Sequence, residues 1–237
     1  VTIAFFGLVF MTSISNVQNQ TANSFWSSIM ESANALFKNV GNGEAKGPGG
    51  SITKPGKIFL FGGYGSTGNT YNDVYMTDDA SVWNQITPSA NWSPRGSSSA
   101  VFFKNKIWMM SGQDSVNILD DLWSSQDGYN WNLEATLPQF QATEFSKLVV
   151  FQGKLLVVDG PSGSIWSSTD GVNWGAPIIT NAPWMGRDGF GVVSFKNKLW
   201  IIGGQSFGPQ YYNDIWQWDG ILPVNFVHVD TDPTSFG

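Results

Sequence analysis

Apolar positions follow two different spacings along the chain. In residues 1–40 an apolar stretch, VTIAFFGLVFM, is followed by apolar side chains at helical intervals, such as Phe25, Ile29 and Leu36. That spacing places them on one face of an α-helix. In residues 57–237 short apolar runs are separated by glycine, asparagine and aspartate, a pattern typical of strands and turns. The sequence therefore predicts one long helix followed by a mainly β domain.

The predicted helix, residues 2–40, is too long to pack inside a domain of this size. At a rise of about 1.5 Å per residue it would extend roughly 60 Å. The segment GNGEAKGPGG at residues 41–50 ends it, because glycine stops helices and makes linkers flexible. We therefore divide the chain into a helix at 1–40, a glycine-rich linker at 41–56 and a β domain at 57–237.

The first thirty residues carry no charged side chain, since Glu31 is the first. A remnant of a secretory signal and a weak transmembrane helix are two interpretations. However, no A-x-A-like cleavage site follows Met11, and polar residues from Ser13 onward interrupt the apolar run too early for a stable span. A charge-free surface can be buried between copies without desolvating ions. We therefore expect self-assembly through Phe5, Phe6, Leu8, Val9, Ile14, Val17, Phe25, Trp26 and Ile29.

This segment resembles the N-terminal helix of type IV pilin-like subunits of the Flp/Tad or archaeal type. The resemblance rests on the start at Val1, which predicts a cleaved leader, on the apolar stretch and on TANSFWSSIMESANALFKNV. Many such pilins have glutamate at the fifth mature position, where this chain has Phe5. The resemblance implies transient membrane insertion before assembly, a helical homopolymer with the helices in its core, and an extracellular location at the cell surface.

A nine-residue pattern recurs four times in the β domain. PGKIFLFGG, KNKIWMMSG, QGKLLVVDG and KNKLWIIGG begin at residues 55, 104, 152 and 196, so the unit repeats every 44 to 49 residues. Such a period with several strand-like runs per unit indicates a propeller-type repeat of four-stranded sheets. The continuous apolar runs predict strands buried on both faces between neighbouring sheets, including Trp108 and Trp200.

The glycine doublets Gly62-Gly63 and Gly203-Gly204, each followed later by tryptophan, resemble kelch-type repeats. The resemblance implies a small, about four-bladed kelch-like β-propeller. The first unit has no obvious leading strand, and VNFVHVD at residues 224–230 lies where a closing strand would come. We therefore expect the end of the chain to complete the ring.

Two Asp-Gly turns, in SSQDGYNW and SSTDGVNW, resemble the Asp-box of sialidase-like propellers, although the glycine comes one residue early. In such a turn the aspartate accepts backbone N–H groups and the tryptophan packs between strands. We therefore expect structural roles for Asp127, Asp170, Trp131 and Trp174.

Charge and composition exclude several classes of function. The net charge is −6, the isoelectric point is about 4.6 and there are only two arginines, so a nucleic-acid partner is not expected. The chain has no cysteine and one histidine, His228, which is expected on the closing strand. The acidic pairs Asp78-Asp79 and Asp120-Asp121 are interpreted as solvated turn residues. No catalytic, metal or cofactor motif appears, so an enzyme is not expected.

Three further groups of residues bear on binding. Arg95 and Arg187 each follow a tryptophan by three positions, which indicates either bridges between sheets or polar contacts on a ligand surface. Tyr211 and Tyr212 are the candidate surface for stacking on sugar rings. The glycosylation sequons are at Asn91, in a predicted loop, and at Asn19, in the predicted helix.

Two hypotheses about function remain. In the first the chain is a structural filament subunit whose helices form the core, with the propeller displayed on the surface and available for adhesion. In the second it is a membrane-anchored, cell-surface propeller that binds carbohydrate or protein and does not polymerise.

Overall fold

The computed structural model describes residues 56–65, 68–79, 81–114, 116–136, 146–206, 208, 210–221 and 226–229. The predicted helix with its assembly residues, Asn19 and almost all of the linker lie outside these ranges. Within them the chain is entirely strand, turn and irregular structure, so the described part contains no helix able to cross a membrane.

Sixteen strands make up the described regular structure. The first seven are β1 (Ile58–Tyr64), β2 (Thr70–Thr77), β3 (Asn84–Thr87), β4 (Ser99–Phe103), β5 (Lys106–Met110), β6 (Asp121–Ser125) and β7 (Asn132–Thr136). The next four are β8 (Lys147–Phe151), β9 (Lys154–Asp159), β10 (Ser164–Ser168) and β11 (Arg187–Asp188). The last five are β12 (Gly191–Phe195), β13 (Lys198–Ile202), β14 (Gln205–Ser206), β15 (Ile215–Trp218) and β16 (Val227–Val229).

The strands form four antiparallel sheets, one for each sequence repeat. The first sheet is β1-β2-β3, the second β4-β5-β6-β7, the third β8-β9-β10 and the fourth β12-β13-β15-β16. A separate two-stranded ribbon pairs β11 with β14. The four units predicted from the nonapeptides are therefore present as four sheets.

The repeated nonapeptides begin at two-residue hairpin turns. Lys104-Asn105 and Lys196-Asn197 have φ values of 48° and 61°, and of 48° and 57°, respectively. Two successive positive φ values are what a type I′ turn requires, and asparagine tolerates them better than most residues. The recurrence of Lys-Asn before the apolar run therefore has a conformational cause.

Apolar side chains fill the spaces between consecutive sheets. Ile107 and Met109 of β5 pack toward the first sheet, whereas Trp108 and Met110 of the same strand pack toward the third. β9 is likewise buried on both faces. This arrangement confirms for β5 and β9 that a continuous apolar run marks a strand between two sheets.

The same prediction is wrong for β13. Leu199 and Ile201 are fully buried against the third sheet, but Trp200 and Ile202 on the opposite face are only half-buried. Within the described residues, the apolar clusters join the first sheet to the second, the second to the third and the third to the fourth. The second face of β13 lacks such a partner there, and its sequence alone does not reveal this.

The predicted closing strand is also placed differently. Val227–Val229 pairs with β15 and forms the outer edge of the fourth sheet, with His228 opposite Trp216. This strand therefore belongs to the fourth sheet and not to the first, and completion of the ring by the end of the chain stays a prediction. β1 corresponds in the repeat to β5, β9 and β13, which pair with β4, β8 and β12, respectively. Among the described strands, none pairs with β1 in the equivalent way.

Candidate ligand-binding face

The four sheets present two different ends. The loop end is where β1, β5, β9 and β13 finish and where the segments entering β4, β8 and β12 lie. The turn end is opposite and carries the two-residue hairpins and the aspartate turns. Of the four exposed tyrosines, Tyr64, Tyr71 and Tyr211 lie at the loop end, and Tyr129 lies at the turn end.

Arg95 joins the first sheet to the second at the loop end. Its backbone N–H donates to Tyr71 O at 2.9 Å, and its carbonyl accepts from Gly63 N at 2.8 Å. Its fully buried guanidinium makes a bidentate ion pair with Asp121 and donates to Ser111 O at 3.1 Å. Of the two predicted roles, Arg95 therefore has that of a bridge between sheets. Its ion pair with Asp121 uses two N–H groups of the planar guanidinium, as the geometry of arginine favours.

Arg187 repeats the arrangement in the fourth sheet. Its Nη1 and Nη2 lie 2.6 Å and 3.0 Å from the two carboxylate oxygens of Asp214, and its guanidinium lies 4.0 Å from the Tyr212 ring centre. Trp216 Nε1 also donates to Asp214. Burial raises the pKa of Asp214, but the hydrogen bonds from Arg187 and Trp216 outweigh it, so the pKa lies below its usual value.

Asp121 corrects the interpretation of the acidic pairs. It is not a solvated turn residue, because it accepts both guanidinium hydrogen bonds of Arg95 and one from Trp123 Nε1 at 2.7 Å. Asp79, by contrast, does lie in an exposed turn. Within the described residues no group of histidine, aspartate and glutamate side chains is arranged to hold a metal ion.

The aspartate turns have the structural roles that were expected. Asp127 Oδ1 accepts Tyr129 N at 2.8 Å and Asn130 N at 2.9 Å, and Trp131 Nε1 donates to Gly128 O. Trp131 packs edge-on against Phe61 and Trp92, between the first two sheets. Asp170 makes the same contacts in the third sheet, and Trp174 packs against the cluster of the second and third sheets.

The first sheet contains a further aspartate turn, at Asp79, that the sequence pattern did not indicate. Asp79 Oδ1 accepts Ser81 N at 2.9 Å and Val82 N at 3.2 Å, and Asp79 Oδ2 accepts Ser81 Oγ at 2.6 Å. The hydrogen bond from the Ser81 side chain, followed by the two backbone hydrogen bonds, lowers the pKa of Asp79 to about 2. The spacing Thr77, Asp79, Trp83 equals Ser125, Asp127, Trp131. That shared spacing could have indicated the turn. It was overlooked because Thr77 replaces the serine and Asp79 is not followed by glycine.

The aspartate turn of each later sheet docks on the sheet before it. Thr87 Oγ1 of the first sheet donates to Gly128 O at 3.1 Å. Gly171, in the aspartate turn of the third sheet, lies against the ring of Trp108 in the second sheet, and a Cβ on Gly171 would overlap that ring. Gln152 Nε2 of the third sheet donates to Asp219 O of the fourth at 2.8 Å. Glycine is therefore required at these turns by close approach as well as by conformation.

Asn91, the predicted glycosylation site, is exposed as expected of a loop residue. Its Nδ2 also donates to Trp131 O at 3.0 Å. The side chain thus takes part in the contact between the first two sheets.

The predicted Tyr211-Tyr212 patch is divided by the structure. Tyr212 lies against the guanidinium of Arg187, whereas Tyr211 is 79% exposed. Tyr211 pairs with Gln205, which pairs with Asp188 of β11, so the three residues form one cross-strand row. Side chains of directly opposed residues in antiparallel pairs lie on the same face. The row therefore places an exposed aromatic ring, an amide and a carboxylate together.

Asp188 is the member of this row that the sequence did not single out. It is 6% exposed, and among the described residues its Oδ1 has no hydrogen-bond partner. Burial raises its pKa, and the side chain of Gln205 and the charge of Lys147 only partly oppose this. An unpaired buried oxygen is costly, which makes this carboxylate a candidate acceptor for a ligand donor.

The second sheet carries an equivalent row with different side chains. Gly96 pairs with Gln113, which pairs with Ile118. Tyr64 of the first sheet covers this row, since its ring lies where a Cβ on Gly96 would be and its hydroxyl accepts from Gln113 Nε2 at 2.6 Å. This row is therefore filled from within the protein.

A cleft at the turn end is too small to be the main binding site. It lies between the third and fourth sheets, has a volume of about 90 Å³ and is lined by Phe151, Gln152, Lys154, Leu156, Ile178, Trp218 and Gly220. Pockets for small molecules typically measure about 300–1,000 Å³. The loop end is therefore the better candidate face.

Comparison with known families agrees with this architecture. Residues 78–185 match the family described as the DUF6242 beta propeller domain, and residues 186–219 match the Kelch motif. No curated protein matches the chain. With its four sheets in series and the kelch-type sequence in the fourth, the described part of the chain is a mainly β, propeller-like domain that contains a kelch motif.

Proposed function

We propose that the propeller-like domain is a binding module whose ligand contacts the loop end. The observation that carries this proposal is the row of Asp188, Gln205 and Tyr211, in which an exposed tyrosine lies beside a buried carboxylate with an unpaired oxygen. Binding sites of this kind combine apolar contact area with a few fixed polar groups. The arrangement provides recognition groups without a nucleophile or a proton relay, so the proposed role is binding and not catalysis.

The row is held on a rigid support. β11 and β14 are anchored by the Arg187–Asp214 ion pair beneath them, and Gly186 N donates to Gly160 O of the third sheet at 3.0 Å. Sites on preorganised elements lose less entropy on binding than sites on long loops. The ion pair thus has a positioning role in addition to its structural one.

Residues 1–40 are proposed to display this module. Their charge-free first thirty positions and the pilin-like pattern support a filament core, with the propeller-like domain on the outside of an extracellular filament. Under this proposal the chain's principal partner is a second copy of itself. Negative-stain microscopy tests it, since the full chain should form filaments and the variants Phe6→Lys and Ile14→Asp should not. Unchanged filaments in both variants would reject the helix as the assembly element, and a wild-type chain that stays monomeric would favour a simple membrane anchor.

The binding face can be tested by blocking one end at a time. The chain has no cysteine, so a single introduced cysteine can be coupled selectively to a bulky polyethylene glycol maleimide. Val116→Cys places the polymer at the loop end, and Val172→Cys is the matched control at the turn end, since both valines are exposed. Retention of the labelled full chain on intact cells should fall only for the first conjugate. Equal retention of both conjugates, or equal loss in both, would contradict the proposal.

A further inference from the structure

The two equivalent rows at the loop end show what this backbone arrangement can hold. In the second sheet the row of Gly96, Gln113 and Ile118 holds a ring that bears a hydroxyl group, supplied by Tyr64. In the fourth sheet the row of Asp188, Gln205 and Tyr211 has the same pairing. The two rows therefore differ in their side chains and not in their backbone pairing.

The third sheet has no ring at the position that corresponds to Tyr64. Tyr64 is the seventh residue after Lys57, and the seventh residue after Lys154 in the third sheet is Pro161. Proline has neither an aromatic ring nor a hydroxyl group with which to contact Gln205. The residue that corresponds to Tyr64 therefore cannot fill the fourth-sheet row as Tyr64 fills the second-sheet row.

The side chains of the fourth-sheet row also change which occupant fits. At Gly96 a ring lies directly on the backbone, and even a Cβ there would overlap it. Asp188 has a complete side chain at that position, so a flat phenyl ring cannot lie in the same way. Tyr211, in place of Ile118, instead offers its own exposed ring as a platform.

The polar groups define the chemistry of the occupant further. Asp188 Oδ1 is buried and unpaired, so it requires a hydrogen-bond donor. Gln205 supplies an amide that can accept and donate. The carboxylate disfavours an anionic ligand by like-charge repulsion. An occupant with several hydroxyl donors, an apolar ring face for Tyr211 and no negative charge meets these requirements, and a neutral sugar has this composition.

We propose that the row of Asp188, Gln205 and Tyr211 is a subsite for a neutral sugar residue of a glycan. One sugar hydroxyl donates to Asp188 Oδ1, and the apolar face of the ring packs on Tyr211. This assignment rests on the proposed binding function of the loop end and names its ligand class. Because the acceptor is an ionised carboxylate, this hydrogen bond is of the stronger, charge-assisted type.

The test uses the labelled full chain on a printed array of neutral and sialylated glycans. The wild-type chain should bind a subset of the neutral glycans. Tyr211→Ala removes the platform, and Asp188→Asn keeps the shape but removes the charged acceptor. Each should weaken apparent affinity about tenfold, the effect of losing one good contact. Tyr129→Ala is the matched control, an exposed tyrosine at the turn end, and should stay within about twofold.

Thermal melting separates a binding effect from a folding effect. Asp188→Asn and Tyr211→Ala should melt within a few degrees of the wild type while losing glycan binding. Wild-type binding by both variants would overturn the subsite, as would binding of sialylated glycans alone, of no glycan at all, or an equal loss in Tyr129→Ala. In each of these cases the cell-retention experiment still tests the binding face. If the polymer at Val116→Cys reduces retention on cells, the sugar subsite is wrong but the loop end remains the binding face. If the loop-end conjugate is also retained, both proposals fail.

Discussion

The second and fourth sheets share a tryptophan, an arginine and a nonapeptide at a displacement of 92 residues, yet their surroundings differ. Trp108 and Trp200 donate their indole N–H groups to equivalent carbonyls, Phe103 O at 3.0 Å and Phe195 O at 3.1 Å. Trp108 is 1% exposed, however, whereas Trp200 is only half-buried. The repeat thus determines the local conformation of each tryptophan. The neighbouring sheet determines how deeply the tryptophan is buried and therefore how much it contributes to the stability of the domain.

The loop ends of the same two sheets differ in a complementary way. Both keep the arginine–aspartate ion pair, but Gly96 in the second sheet is covered by Tyr64, and Asp188 in the fourth retains an unpaired oxygen. The ion pair is common to both sheets, whereas the next residue along the chain differs, being glycine under Tyr64 in the second sheet and aspartate in the fourth.

Removing the two tryptophans tests the difference in burial most strongly. Trp108→Ala should lower the free energy of unfolding by about 3–5 kcal/mol, because it leaves a cavity between two sheets. Trp200→Ala should cost roughly half as much, since part of its surface stays in contact with water. Urea unfolding of the full chain, followed by circular dichroism, measures both. An equal cost would show that residues outside the described ranges cover the second face of β13.

Removing each arginine tests whether the two ion pairs are equivalent. Arg95→Ala should cost at least about 3 kcal/mol, because it leaves the partly buried Asp121 without its cation. Arg187→Ala should cost less, since Arg187 Nε has no hydrogen-bond partner in the described part of the chain, whereas Arg95 Nε donates to Ser93 O at 3.0 Å. The double variant Arg95→Ala/Asp121→Ala serves as the control in the same unfolding experiment. It should cost less than the sum of its single changes, and simple additivity would contradict the coupling.

The sequence was sufficient for features that depend on local chemistry. The four units and the structural role of Asp127 follow from residues that act within a few positions. The bridging role of Arg95 was one of two alternatives, and choosing it required its partner. That partner, Asp121, could not be identified from sequence because it lies 26 residues away and looks like its solvated neighbour Asp120.

The features that were missed depend on which strands become neighbours. VNFVHVD was expected to act as the closing strand, and Trp200 was expected to be fully buried. Both features depend on sheet order and not on the strands themselves. Asp188 gave no signal because its position beside Gln205 and Tyr211 arises from cross-strand register. A one-residue shift of that register would move the side chain to the other face of the ribbon.

One substitution in each of the two loop-end rows tests whether a side chain of the protein covers the row. Gly96→Ala should cost about 1–3 kcal/mol, because the added methyl group overlaps the Tyr64 ring. Asp188→Asn, at the equivalent position, should cost less than Gly96→Ala, because asparagine has nearly the same shape and Asp188 Oδ1 has no hydrogen bond to lose among the described residues. Restoring stability in Gly96→Ala by adding Tyr64→Ala would confirm the overlap. If Gly96→Ala is neutral, Tyr64 does not occupy the row in solution.

The aspartate turns provide the smallest effect, and it depends on pH. Burial raises the pKa of Asp127, but hydrogen bonds from Asn130, Tyr129 and Ser125 outweigh it and lower the pKa to about 2, against a usual value of 3.8. Because the folded pKa is the lower one, the stabilisation is present above pH about 4 and is lost as the pH falls toward 2. Asp127→Asn should therefore cost about 1 kcal/mol near neutral pH and less in acid. Asp219→Asn in the fourth sheet should cost less, since Asp219 Oδ1 accepts only Ile221 N among the described contacts. Melting curves between pH 2 and 7 measure both, and a cost for Asp127→Asn that does not change with pH would contradict this account.

The aspartate turns of the later sheets all pack on the sheet that precedes them in the chain. The turns at Gly128, Gly171 and Asp219 contact sheets that are earlier in the chain, so each template already exists when the later turn is synthesised. During translation a new sheet can therefore add to folded structure as soon as about one repeat has left the ribosome. Apolar surface exposed to the cytosol or to chaperones is then limited at any moment to the face of the newest sheet.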